Sequence, residues 1–245
     1  MRLKVAILIP SYKRLKVLEH TLCSLFFNSQ MDAKNNYEVG VFLGLNKARE
    51  EDIKIAHSFV EIASACNIFY AFVPYSDNIG KALALNDLFD KYSSRYDYIV
   101  TMDNDMVIKK PWLHLINVAL KKDFELTGFA STTFWAHLPK REECPFEEVD
   151  KYKFYQPYNG IAGGMMLFPR RTLEKHKWTN KGGVYGFDDA QMCLDVNNKG
   201  VLYDERDWLD HDPLSCSTPE LKYYHDRKQH FFNQGQYILQ KGWDS

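Results

Sequence analysis

Short apolar runs alternating with longer amphipathic stretches fill the first half of the chain and leave few folds open to it. Leu3-Lys4-Val5-Ala6-Ile7-Leu8-Ile9 is a nearly continuous apolar run, typical of a strand covered on both faces. Pro10-Ser11-Tyr12 is expected to end it, because proline has no N–H to give to a ladder. Leu15, Leu18, Leu22, Leu25 and Phe26 then recur at helical spacing. The succession returns with a strand over residues 37–43 and a helix over about residues 50–66. It returns again with a strand over residues 68–73 and a helix carrying Leu83, Leu85, Leu88 and Phe89. A fourth strand starts at Tyr98. Such alternation predicts an α/β chain with a right-handed, doubly wound, mostly parallel sheet.

The fourth strand, Tyr98-Ile99-Val100-Thr101-Met102, runs directly into Asp103-Asn104-Asp105-Met106. Strand alternation sends Asp103 and Asp105 to one side and Asn104 to the other. Open α/β sheets bind ligands at the carboxyl ends of their strands, and hard oxygen ligands there suit Mg2+ or Mn2+ bridging a diphosphate. An Asp-x-Asp triplet alone also fits a cap or a solvated turn. The neighbouring strand ends add chemistry of their own. Pro10 to Arg14 offers a hydroxyl, an aromatic ring and a guanidinium beside a helix N-terminus, although an ordinary connecting loop reads the same way. In Asp77-Asn78-Ile79-Gly80-Lys81, Asn78 suits a helix N-cap and Gly80 allows backbone to approach a ligand closely.

Beyond residue 110 the pattern loosens. A helix is expected over residues 111–122 with Pro111 in its first turn, and a strand over residues 126–133. Residues 132–158 read as an irregular aromatic loop or flap, and residues 160–169 as a glycine-containing strand. Asp188-Asp189 precedes a helix over residues 190–197; an acidic pair there is most simply a cap, yet one cap suffices. Val201-Leu202-Tyr203 is a short strand, and His211 stands between Asp210 and Asp212. Residues 219–243 read as a polar, aromatic helix carrying His225, Arg227, Lys228 and His230. The expected organisation is one domain over residues 1–217, with a helical tail over residues 218–245 packing on the site or covering it.

Composition narrows the function. With 45% hydrophobic and 15% aromatic residues the 245-residue chain can bury a substantial core. A net charge of −1 exerts no global pull on nucleic acid or acidic membrane. Basic pairs at Lys13-Arg14, Lys140-Arg141 and Arg170-Arg171 are most simply solvated faces. Five scattered cysteines without CxxC spacing indicate neither a disulfide framework nor a zinc site, and fit a reducing compartment. Neither a signal-peptide core nor an apolar run near the ~20 residues that span a bilayer is visible, so a soluble, cytoplasmic protein is expected.

Taken together, Ala6-Ile7-Leu8-Ile9-Pro10-Ser11-Tyr12-Lys13-Arg14, Asn78-Ile79-Gly80-Lys81-Ala82-Leu83-Ala84-Leu85-Asn86, Met102-Asp103-Asn104-Asp105, Gly163-Gly164-Met165-Met166-Leu167-Phe168, Gly186-Phe187-Asp188-Asp189 and Asp210-His211 resemble, in order and spacing, the GT-A glycosyltransferases of the family-2-like group. The resemblance implies a nucleotide-diphosphate sugar donor, UDP- or GDP-linked, a Mn2+ or Mg2+ cofactor, and a saccharide or other hydroxyl acceptor. It implies that Pro10, Ser11, Tyr12 and Arg14 line the nucleotide pocket and that Asn78, Gly80 and Lys81 hold nucleotide and phosphates. Asp103 would contact ribose or metal, with Asn104 in the same donor-binding element. Asp105 would be the principal metal ligand and His211 would complete the metal site. Asp188 and Asp189 would form the acceptor-side pair, with Asp189 as base. Departure of a nucleoside diphosphate builds negative charge, for which Lys81, His225 and Arg227 are candidate partners. Two features depart from the family pattern. Leu43-Gly44-Leu45-Asn46-Lys47 stands where an acidic residue is usual after the second strand, and the later pair is Asp-Asp rather than Glu-Asp.

Three other readings compete. A sugar-1-phosphate nucleotidyltransferase shares the sheet but should carry a Gly-rich loop after the first strand, and Pro10 to Arg14 contains no glycine. A non-catalytic nucleotide-sugar-binding scaffold should have lost site positions, yet both acidic pairs and the histidine are present. Phe134-Trp135 and the tyrosines between 152 and 158 could stack on nucleic-acid bases, making a nucleic acid the acceptor. The near-neutral charge favours a saccharide or lipid-linked glycan instead.

Overall fold

The structure, a computed structural model, describes residues 2–131, 144–156, 161, 164–179 and 188–212. Its strands are β1 (Leu3–Tyr12), β2 (Tyr37–Asn46), β3 (Phe69–Pro74), β4 (Tyr98–Met102), β5 (Met106–Ile108), β6 (Leu126–Ser131), β7 (Phe146–Val149), β8 (Tyr152–Tyr155), β9 (Met165–Pro169), β10 (Lys199–Asp204) and β11 (Leu209–His211). The helices are α1 (Leu15–Asn35), α2 (Glu50–Ala65), α3 (Lys81–Tyr92), α4 (His114–Ala119), α5 (Arg170–Lys175) and α6 (Asp188–Asp195).

Nine strands form one sheet in the order β3-β2-β1-β4-β9-β6-β10-β8-β7. The first four are mutually parallel; β9 and β8 run against their neighbours, and β6, β10 and β7 return to the direction of β4. The sheet is therefore mostly parallel in strand direction, as the alternation of strands and helices predicts. β1 is an interior strand, third from the β3 edge, with Val5 to Ile9 fully buried. Burying each such aliphatic side chain contributes roughly 1.5–3 kcal/mol. Helices cover both faces. Tyr70, in register with Val41, meets Phe26 of α1 edge-on at 5.6 Å, whereas the adjacent Phe42 stacks on Tyr92 of α3 at 4.4 Å.

Several local expectations shift. β1 runs through Pro10 to Tyr12 rather than ending at the proline. It pairs with β4 only over Val5 to Leu8 and with β2 throughout, so beyond Leu8 one side needs no ladder donor. Asn78 does not cap α3; Gly80 is the N-cap at φ 85°, and the Asn78 Oδ1 accepts the Gly80 N–H at 3.2 Å. The helix expected over residues 111–122 contracts to α4, flanked by i to i+3 turns such as Leu115 N–H to Trp112 O and Lys122 N–H to Ala119 O. The stretch read as an irregular flap contains the β7–β8 hairpin, which turns at Asp150 with φ 55° and puts Tyr152 and Phe154 inward. β5 and β11, not anticipated, form a separate two-stranded ribbon beyond the end of β4. The expected tail over residues 218–245 lies outside the described residues.

Gly40 in β2 marks the tightest point of the α3-side core. A Cβ there would fall 2.7 Å from Tyr96 Cζ and 2.8 Å from Phe42 Cε2, and closer still to the Tyr96 hydroxyl. Tyr96 is buried and packs edge-on to Phe42, so it has nowhere to move. Gly40→Ala is expected to destabilise the fold by about 1–3 kcal/mol. Urea denaturation should show a lower midpoint at unchanged slope.

Candidate functional site

The strand order reverses between β1 and β4, where their connections leave the sheet to opposite sides, and the carboxyl ends of such strands make a crevice. Pro10, Ser11 and Tyr12 end β1 there, with Tyr12 in register with Asn46 at the end of β2. The chain then turns through Lys13 at φ 56° and Arg14 at φ 62°. Left-handed backbone costs a side-chain-bearing residue roughly 1–2 kcal/mol. This bend starts α1 and brings the Arg14 guanidinium to 2.8 Å from Asp105 Oδ2. Both side chains are mostly buried, at 11% and 15% exposure.

Asp103 leaves β4 with its N–H donated to Gly164 O at 3.0 Å. Its carboxylate lies 2.8 Å from Lys81 Nζ, and the same ammonium lies 3.1 Å from Asp189 Oδ1. Lys81 opens α3 immediately after the left-handed Gly80, and Asp189 is in the first turn of α6. One cation therefore joins a carboxylate at the end of β4 to a carboxylate 86 positions later in the chain. Asp188 opens α6, but its side chain lies outside the described residues.

Asn104 lies in a turn beyond β4, where strand alternation no longer holds, and donates to Ser11 Oγ at 2.9 Å. Thr21 of α1 donates its hydroxyl to the Asn104 carbonyl at 2.8 Å, and Asp212 donates its N–H to the Asp105 carbonyl at 2.7 Å. The β5–β11 ladder puts His211 opposite Met106, beside the aspartate turn. That ladder is reinforced by Lys109, whose Nζ reaches Asp207 at 3.0 Å and Asp210 at 3.1 Å. Stacked Trp112 and Trp208, 5.9 Å apart, support it from below.

The end of β2 carries an amide where the resembled family has an acid. Asn46 Oδ1 accepts the Ile79 N–H at 3.1 Å, tying the β2 end to the Asn78–Gly80 loop. Lys47 and Ala48 N–H groups add bonds to Asp77 O and Tyr75 O, each 2.9 Å. Asn86 of α3 clasps the Trp178 backbone through both its amide atoms, at 2.8 and 3.1 Å, and so fixes the segment after α5. Cys193, one turn after Asp189, is no nucleophile, since burial pushes its thiol up to about 11.

The structure thus gathers Pro10, Ser11, Tyr12, Arg14, Asn78, Gly80, Lys81, Asp103, Asn104, Asp105, Asp189 and His211 around one end of the sheet. Among the described residues it does not converge three His, Cys, Asp or Glu side chains on one point. Asp103 faces Lys81 and Asp105 faces Arg14 instead. His225 and Arg227 lie outside the described residues. Sequence reasoning passed over His20, Thr21 and Asp212, which hold the turn from behind. Asp212 had a visible signal in its place beside His211, whereas His20 and Thr21 look like ordinary positions on a helix.

Neither a protein-family model nor a curated protein matches the sequence. Solved structures do match its fold. A mannosyltransferase from Pyrobaculum calidifontis, in complex with GDP-Man and Mn2+, superposes over 85% of this chain and 59% of its own, at 15% identity and a TM-score of 0.59. GalNAc-T7 with UDP, GalNAc and Mn2+ superposes over 86% and 44%, at 10% identity and 0.62. The chain has the GT-A fold. It spans less than two thirds of the length of either protein. A Bacillus anthracis protein provisionally assigned as a glucose-1-phosphate thymidylyltransferase shares this GT-A core over 86% and 92%, at 11% identity and 0.52. No helix among the described residues is long and apolar enough to cross a membrane.

Proposed function

We propose that this chain is a metal-dependent glycosyltransferase that moves a sugar from a nucleotide-diphosphate donor, UDP- or GDP-linked, to a hydroxyl of a glycan or other acceptor. The observation that carries the proposal is the Asp103–Lys81–Asp189 bridge, which sets a donor-side and an acceptor-side carboxylate across one ammonium at the strand ends of a GT-A fold. The mannosyltransferase of this fold is in complex with GDP-Man and Mn2+, and GalNAc-T7 with UDP, GalNAc and Mn2+, which supports the donor class.

The residues fit a divalent ion in kind. Asp105, Asp103 and His211 offer hard oxygens and an imidazole nitrogen around one turn, a set compatible with Mn2+ or Mg2+. When bound, such an ion supplies Lewis-acid neutralisation of the departing diphosphate. This chain's own groups do the rest. Lys81 and Arg14 bring positive charge to the phosphates, Ser11 and Tyr12 line the nucleotide pocket, and Asn78 and Gly80 shape the loop beside it. Asp189 takes the proton from the acceptor hydroxyl as its oxygen forms the new bond to the anomeric carbon. The old bond from that carbon to the diphosphate breaks, and its electron pair leaves with the nucleoside diphosphate.

Nucleotidyl transfer on the same fold is the second reading, favoured by the thymidylyltransferase likeness. The glycine-free loop after β1 counts against it. A nucleic-acid acceptor is disfavoured by the pairing of basic residues within the protein: Arg14 with Asp105, Arg170 with Glu174, Arg171 with Asp123. Lys140-Arg141 lies outside the described residues.

Thermal unfolding with UDP, GDP, CDP, dTDP and dTTP, each with and without Mn2+, tests the proposal. A ligand at 100 times its dissociation constant adds about 2.7 kcal/mol of stability. A Mn2+-requiring shift with UDP or GDP is expected. A shift confined to dTTP would transfer the assignment to nucleotidyl transfer, and no shift at all would leave a scaffold. Asp105→Asn leaves Arg14 a hydrogen-bond acceptor but no opposing charge, so the unliganded melting temperature should fall and the Mn2+-dependent shift should disappear. Asp189→Asn should leave the nucleotide shift intact and lower the transfer rate by about 10²–10⁴-fold, the usual contribution of a general base. Near-normal turnover would refute that role.

A further inference from the structure

The aspartate turn is held from behind by two adjacent residues of α1. Thr21 binds the carbonyl of Asn104 directly at 2.8 Å. His20 acts through an intermediary: its Nδ1 lies 2.8 Å from Asp212 Oδ2, and the Asp212 N–H reaches the next carbonyl, that of Asp105, at 2.7 Å. A carboxylate only accepts, so His20 Nδ1 carries the hydrogen and Nε2 faces outward on a ring that is 49% exposed. The Asp212 side chain is at 0% exposure, and a buried carboxylate stays in place only with such a partner. Both successive peptide carbonyls of the turn are thus fixed, which leaves the aspartate side chains to face the crevice.

We propose that His20 and Asp212 are positioning residues for the metal-binding turn, orienting Asp105 and His211 without touching any ligand. The inference rests on the metal-dependent reading above. His211 is held on one side by the β5–β11 ladder and on the other by Asp212, which is anchored through its side chain to α1 and through its N–H to Asp105. Freeing Asp212 would loosen two candidate ligands at once. Packing alone does not account for His20, since half of its ring is in water and little apolar area depends on it. Partners of metal ligands in comparable positions typically change metal affinity 10- to 100-fold when removed.

The test is Mn2+ binding to the full chain without substrate, followed by the loss of the free-ion electron paramagnetic resonance signal. His20→Leu is expected to weaken Mn2+ binding about 10- to 100-fold. His20→Asn, whose side-chain N–H sits where the imidazole Nδ1–H sits, should restore most of that affinity, with the two variants unfolding at similar temperatures. Wild-type affinity in His20→Leu, or equal losses in Leu and Asn, overturns the positioning role while the metal reading stands. Absence of Mn2+ binding by the wild type overturns both. Should His20→Leu fail to fold, Thr21→Val carries the test: it is isosteric, lacks the hydroxyl on the Asn104 carbonyl, and must also weaken Mn2+ binding. Unchanged affinity in a folded Thr21→Val sinks the idea.

Discussion

Three carboxylates and two cations meet at the carboxyl ends of β1 and β4, and the architecture around them follows from keeping those charges paired. Arg14 and Asp105 are nearly out of water, and Lys81, Asp103 and Asp189 are each less than one third exposed. Removing one partner from such a pair leaves a poorly solvated charge, which costs far more than the pair itself contributes. Each cation therefore arrives on a constrained stretch of backbone. Arg14 is the second of two consecutive left-handed residues, and Lys81 follows a glycine in a conformation few other residues adopt. The strain is local, and the sheet behind it, with β1 buried from Val5 to Ile9, is stiff enough to hold it.

The parts of the molecule legible in the sequence are those specified by short-range periodicity. β1 to β4 and α1 to α3 are read directly from apolar spacing, and the aspartate triplet at a strand end follows from them. What escaped the sequence depends on pairings that local pattern does not encode. β5 and β11 are three residues each, too short for any period to register, and they exist because their backbones complete one another 101 to 105 positions apart. The β7–β8 hairpin does alternate, Tyr152-Lys153-Phe154-Tyr155 facing in and out. Its aromatic content looked like a flap because both faces carry rings. Asn78 shows a different failure. Its preference for binding a nearby N–H was read correctly as a tendency and assigned to the wrong N–H, since Gly80 intervenes before the helix starts.

At the site, residue types were legible and partnerships were not. That Lys81 would stand between Asp103 and Asp189 requires knowing that α6 returns to the end of β4, although β9 leaves the sheet at the opposite end, where Pro169 pairs with Tyr98. Likewise His20 and Thr21 belong to the face of α1 turned toward the ribbon, and only the ribbon makes that face special. Helical position alone leaves a histidine and a threonine looking like solvent-side choices.

The charge count bears on the chemistry. Arg14 and Lys81 against Asp103, Asp105 and Asp189 leave one uncompensated negative charge among these five side chains. A nucleoside diphosphate brought against this set meets repulsion, because both cations are already engaged and burial weakens the screening that water would supply. Binding becomes favourable only if additional positive charge enters with the ligand or if the carboxylates are neutralised. Asp103 and Asp105 would hold a divalent ion on the metal-dependent reading, which would neutralise them and leave Arg14 and Lys81 for the phosphates. A permanently cationic pocket would bind the diphosphate product tightly before and after reaction. On the proposed reading, a pocket whose cations are held in reserve by carboxylates would instead make phosphate binding conditional on the metal and would let the spent nucleotide go.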